Sequence, residues 1–275
     1  MSEVTEQTCA FDKLLKRNVP HILETIFFSL DYNSLRACSE VCKMWKDLMA
    51  SESYQDKVVE IKCRETDLML ACKKGAAKRV KAVLSLGVDP NIRRQDGKSP
   101  IFLAVERGHK DVVKLLLNAG ANPNKAYKDI TPLYWSAVER GHKGVVKLLL
   151  NAGANPNKAY KDITPLYWSV RKNQIGIVRL LLRGGADPNI GIGSRGFEGK
   201  DTPLHWAINW SWSNIKVVKM LLDEGADPNA TNQRGETPYY LAVKSPWPRK
   251  DVIKLLLEAG AEESIRPNYY YGGRR

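Results

Sequence analysis

The segment "ERGHKDVVKLLLNAGANPNKAYKDITPLYWS" (Glu106–Ser136) returns 33 residues later as "ERGHKGVVKLLLNAGANPNKAYKDITPLYWS" (Glu139–Ser169). The two copies differ only at Asp111 against Gly144, which reads as a recent duplication. A looser skeleton surrounds them. "GVDPN" ends at Asn91, "GANPN" at Asn124 and Asn157, and "GADPN" at Asn189 and Asn229. A Ser-Pro or Thr-Pro pair follows each, at Pro100, Pro132, Pro165, Pro203 and Pro238. Such a period is the signature of stacked units. The local chemistry predicts each unit. Pro begins a helix, because its missing N–H costs nothing there and its φ is already set. The preceding Thr caps that helix. Gly108 and Gly141 separate it from a second helix built on "VVKLLL", and Gly120 and Gly153 stop the second helix. "DPN" then opens an exposed turn. A helix pair plus a loop of this kind buries its apolar faces only against its neighbours.

This pattern, with T-P-L-x-x-A, G-H, V-V-x-L-L-L and G-A-D-P-N at a period of 33, resembles the ankyrin repeat. The resemblance covers about residues 64 to 265, or about six repeats. It implies that His109 and His142, in "GH", hydrogen-bond locally to fix a turn, and that His205, in "TPLHW", is also structural. A catalytic His would need a pocket and a partner. Repeats three and four depart from the others. Their loop "NKAYKDITP" is one residue shorter than "NIRRQDGKSP" and lacks its Gly, while "YWSAVERGH" has one residue more. The extra residue reads as the seam of the duplication.

The loop tips carry cations and aromatics in register: Arg93 and Arg94, then Lys125, Tyr127 and Lys128, then Lys158, Tyr160 and Lys161, then Arg195, Phe197 and Lys200, and last Arg234. Stacking predicts that they align into a basic ladder, either a solvated edge or a substrate-binding surface. The loop "IGIGSRGFEGKDTP" predicts an extended finger. Longer turns place Trp210, Trp212 and Trp247 in neighbouring repeats, to pack together or to form a partner patch.

The head of the chain reads differently. Ile22, Leu23, Ile26, Phe27 and Leu30 fall at helical spacing, "SLDYNSL" breaks the pattern, and Leu35, Cys38, Val41, Cys42, Trp45 and Leu48 resume it. Cys38 and Cys42 have no further ligands nearby to complete a metal site, and C-x-x-x-C is not a redox spacing, so they read as packing residues. Val19–Pro20, Leu23, Ile26, Leu30–Asp31, Ser34–Leu35, Val41–Cys42–Lys43 and Trp45 together resemble the F-box. The resemblance implies a short three-helix domain that docks on a Skp-type adaptor, and through it on a cullin-RING ligase. By motif position the contacts are Pro20, Leu23, Ile26, Leu35, Val41 and Trp45. The bland reading of the same stripe is a helical cap on the first repeat. Residues 49 to 63 lack Pro and Gly and predict a continuing helix.

The expected fold is all-α: residues 1–18 as an N-terminal segment, 19–63 as F-box and connecting helix, 64–265 as ankyrin repeats and 266–275 as a tail. Residues 1 to 63 carry 8 Lys and Arg against 10 Asp and Glu, and residues 64 to 275 carry 35 against 20. A basic body favours an acidic or phosphorylated protein target. No sequence-reading nucleic-acid motif is present, so nucleic acid is the lesser partner. No run approaches a membrane span, no leader or lipid-anchor pattern is visible, and the five cysteines read as reduced thiols, which together predict a cytoplasmic or nuclear protein. No phosphate loop, catalytic triad, cofactor motif or metal-ligand set is recognisable, so no enzyme is expected. The expected function is a substrate receptor of a Skp-cullin-F-box ubiquitin ligase. The alternative is an ankyrin scaffold or inhibitor with no role in ubiquitin transfer. The same architecture also resembles host-mimicking effectors of intracellular bacteria.

Overall fold

The computed structural model of the chain describes residues 52–192, 200–209, 214–245 and 248–263. Five helices start on Pro one residue after a Ser or Thr, and the cap geometry explains four of them directly. Ser99 Oγ accepts from the Phe102 N–H at 3.3 Å, and Thr131, Thr164 and Thr237 accept from Tyr134, Tyr167 and Tyr240 at 3.1 to 3.2 Å. The helices so begun are α3 (Pro100–Glu106), α5 (Pro132–Trp135), α7 (Pro165–Arg171), α9 (Pro203–Asn209) and α11 (Pro238–Lys244).

Each is followed by a second helix: α4 (Lys110–Asn118), α6 (Lys143–Asn151), α8 (Ile175–Arg183), α10 (Ile215–Asp223) and α12 (Lys250–Glu258). Ahead of them α1 (Glu52–Lys74) and α2 (Ala77–Ser85) form the first pair. The first helices pack on one another in chain order, the second helices do the same, and finger loops link each pair to the next. Six pairs give the expected all-α solenoid of about six repeats. Among the described residues, extended pairing is limited to three isolated bridges within the fingers.

The two layers bury different amounts. In α3, Pro100 through Val105 are all buried. In the second helices only one stripe is buried, Val112, Val113 and Leu116 in α4 and their equivalents elsewhere. The opposite face of that layer meets solvent. The helix α1 runs unbroken across residues 63 and 64, so the connecting segment and the first helix of repeat one are a single element.

The Asn of each "PN" turn joins consecutive repeats. Its side chain accepts one N–H and donates to one carbonyl of the following repeat. Asn91 accepts from Asn122 at 2.8 Å and donates to Gly120 at 3.0 Å. Asn124, Asn157, Asn189 and Asn229 repeat this with Asn155 and Gly153, Asp187 and Gly185, Asp227 and Gly225, and Glu262 and Gly260. Each Asn is itself held by the Asp or Asn two residues earlier, whose side chain accepts its N–H at 2.8 to 2.9 Å. The turn predicted as merely exposed is therefore the clasp between units.

His109 also acts between repeats rather than locally. Its Nε2 lies 3.2 Å from the Lys73 carbonyl, and its ring covers Gly75. Gly75 has φ +74°, and a Cβ there would stand 2.6 Å from the ring. His142 covers Gly108 in the same way one repeat on. His205 is buried. Its Nδ1 accepts from the Thr202 N–H at 3.1 Å and lies 2.8 Å from the Thr202 hydroxyl, and its Nε2 donates to the Glu236 carbonyl at 3.1 Å.

The irregularities of the duplicated repeats have structural counterparts. The extra residue in repeat three is absorbed as a π-helical turn over Ser136–Arg140, ending on Gly141 at φ 64°. The shortened fingers close as two-residue hairpins, with bridges Tyr127 to Ile130 and Tyr160 to Ile163. Their central residues Lys128 and Asp129, and Lys161 and Asp162, take φ of 48° to 64°, the left-handed region that favours Gly or Asn.

Candidate interaction surface

The finger residues expected to bind substrate fall into three groups. Some are committed to the fold. Arg93 donates to the carbonyls of Gly97 and Ala126 at 3.2 and 3.3 Å, and the Lys125 ammonium donates to the Asn91 carbonyl. Partial burial, with Arg93 nearby, pulls the Lys125 pKa below its ordinary value. Tyr127 and Tyr160 turn inward, with ring centroids 5.2 Å from Phe102 and 5.7 Å from Tyr134. A second group is exposed: Arg94, Lys128, Lys158, Lys161 and Lys200. Arg94 stands 3.6 Å from Asp96, and the Lys128 and Lys161 ammoniums rest over Tyr127 and Tyr160 at 5.4 and 5.5 Å. The third group, Arg195 and Phe197, lies outside the described residues, as do Trp210, Trp212, Trp247 and all the adaptor-contact residues Pro20, Leu23, Ile26, Leu35, Val41 and Trp45.

The fingers do align, but acids align with them. Residues 88–99, 121–131, 154–164, 186–202 and 226–237 together hold ten Lys and Arg against nine Asp and Glu. The six second helices hold thirteen against four. The positive charge of the repeats is thus concentrated on the solvent face of the second helices, away from the finger tips.

A second feature lies on the first helices. Trp135, Trp168 and Trp206 occupy the third position after Pro in three consecutive repeats and are half-buried. The Arg171 guanidinium sits between two of them, 5.1 Å from Trp168 and 5.0 Å from Trp206, and Lys172 approaches Trp168 at 5.5 Å. Tyr167 packs 6.0 Å from Trp206, and burial, with Asp201 near, pushes its hydroxyl up to about 12. The indole N–H groups of Trp135 and Trp168 are buried without a hydrogen-bond partner. The repeated Trp was visible in "PLYW", "PLYW" and "PLHW".

Beside Trp206 lies a polar cleft lined by Asp201, His205, Asn232, Arg234 and Glu236. The Glu236 side chain is 7 % exposed and is held by Asn232 Nδ2 and Lys244 Nζ, each at 3.1 Å. Burial alone would raise its carboxyl, but these two donors and the positive charge around it hold it below the usual carboxylate range. Among the described residues no three His, Cys, Asp or Glu side chains stand together as metal ligands, and no helix is long and apolar enough to cross a membrane.

The family model for ankyrin repeats matches residues 37–127, 68–160, 125–192, 153–232 and 192–266. The chain belongs to the ankyrin-repeat family. This ankyrin-repeat protein also carries an F-box domain, matched over residues 18–55. Both matched modules are non-catalytic adaptor or scaffold domains. Its fold is similar to the crystal structure of an ankyrin repeat domain from Acinetobacter baumannii, with a TM-score of 0.61 and 23% identity, over 71% of this chain and 98% of the other. No curated protein matches the ankyrin-repeat protein at a comparable level.

Proposed function

We propose that the protein is the substrate-receptor subunit of a Skp-cullin-F-box ubiquitin ligase. The F-box binds a Skp-type adaptor and the repeats bind an acidic or phosphorylated protein target. The observation that carries this reading is the union of an F-box domain with a partner-binding solenoid in one chain. The helix α1 supports it, because Glu52–Lys74 starts within the F-box match and ends inside the first repeat, without a flexible linker. A receptor must hold its cargo at a set distance from the ligase, and an unbroken helix is a stiff connection. The cytoplasm or the nucleus is the compartment this role requires.

The test is titration of the purified full chain with a Skp-type adaptor, beside a Leu35→Ala/Trp45→Ala variant of unchanged helical content. Binding that the variant loses supports the receptor role. Absence of binding by the folded wild-type chain leaves an ankyrin scaffold outside ubiquitin transfer.

A further inference from the structure

The second helices of the first four repeats, α2, α4, α6 and α8, carry nine Lys and Arg and a single acid, Asp111. One cation recurs at the same helical position in each: Lys81, Lys114, Lys147 and Arg179. All four are exposed, and none takes part in an ion pair among the described residues. Two of the three gaps between these helices hold a lysine stem as well. The Lys110 stem lies across α6 at Gly144, where a Cβ would stand 3.1 Å from it. The Lys143 stem crosses α8 at Gly176, where a Cβ would collide with it. The glycines at these two places let each lysine reach toward the next repeat, so the positive charge runs on from α4 through α6 to α8.

We infer that this face, rather than the finger tips, docks a run of consecutive acidic residues in an extended protein partner. The inference rests on the receptor reading for the partner's role, but the surface chemistry stands independently. Neighbouring helices pack roughly 8–10 Å apart, so four helices span the length of about seven to nine extended residues. The second helices carry no aromatic side chain, so there is no platform for stacking single-stranded bases and no ring to seat in a bilayer interface. Three of the four ladder cations are lysines, point charges suited to carboxylates in many orientations rather than forks matched to phosphate.

The experiment uses the full chain and a fluorescein-labelled peptide of about twelve consecutive glutamates, long enough to cover the four helices. A Lys114→Glu/Lys147→Glu/Arg179→Glu variant should bind at least roughly tenfold more weakly at low salt, and a Lys128→Glu/Lys161→Glu finger variant less than about twofold. A Gln version of the triple variant, free of added repulsion, should fall between. Unchanged helical content in every variant assigns the losses to the surface. The inference is overturned if the finger variant loses the peptide while the triple variant keeps it, if no protein binds the peptide, or if duplex DNA or phosphatidylserine vesicles bind more tightly than the peptide. Adaptor titration of the triple variant separates the two readings. Retained adaptor binding with lost peptide binding supports both, whereas peptide binding by a chain that never binds the adaptor sustains this surface alone.

Discussion

His205 is enclosed by two repeats, accepting at Nδ1 from Thr202 and donating at Nε2 to Glu236, so its ring is neutral in the folded chain. Burial is the main cause, and it holds the imidazole below its ordinary value of 6.5 despite hydrogen bonds and nearby acids that act the other way. The unfolded chain then takes up a proton below pH 6.5 that the folded chain resists. Stability from this group is complete above that pH and is lost as the pH falls toward the lower folded value, at up to about 1.4 kcal/mol per unit. The melting temperature should drop between pH 7 and pH 5.5, and His205→Gln should flatten that dependence while lowering the whole curve. An equal pH slope in both proteins would refute the assignment. Asn157 illustrates a cost without pH dependence. Replacing it with Ala removes two bonds to the next repeat and should cost about 1–3 kcal/mol in denaturant titration. Asn157→Asp retains the acceptor and should lose less. Cys72 is fully buried, which pushes its thiol up to about 12, and it should stay unlabelled by a thiol reagent in the native chain while Cys63, exposed on α1, reacts.

At the scale of elements, the π-helical turn is the seam of the duplication made visible. Removing Ala137 converts "PLYWSAVERGH" into the spacing of repeat four, whose "PLYWSVRKNQ" forms the regular helix α7. The deletion should therefore cost less than about 1 kcal/mol, whereas deleting Val170 from α7 should cost several, as a break in buried packing does. Thermal melts of the two deletions decide it. In the short fingers, Asp129→Gly and Asp162→Gly relieve a left-handed conformation and should each stabilise by about 0.5–1 kcal/mol. Helices, caps and stops were legible in the sequence because each rests on one local rule: Pro at the start, Thr before it, Gly at the end. The inter-repeat bonds of Asn91 and His109 were not, because the partner is 29 to 36 residues away and a local turn explains the same residue equally well. The charge of the fingers was legible only in part, for a related reason. Recurrence in register was visible, but Asp96, Asp129, Asp162 and Asp201 recur beside the cations, and only the folded chain shows Arg93 and Lys125 spent on backbone carbonyls.

At the scale of the molecule, the solenoid is a row of units whose asparagine clasps each join one repeat to the adjoining one. Its charge is distributed by layer: near balance along the fingers and strongly positive on the solvent face of the second helices. The salt dependence of any acidic partner should accordingly change with Lys114, Lys147 and Arg179 far more than with Lys128 and Lys161. The asparagine clasps also have a mechanical side. Five clasps in series, each closed by two hydrogen bonds across one junction, make a zipper whose teeth share no load. Drawn from its C-terminal end, such a chain parts first at Asn229, then at Asn189, so that it peels in steps of about one repeat while the units nearer α1 stay closed.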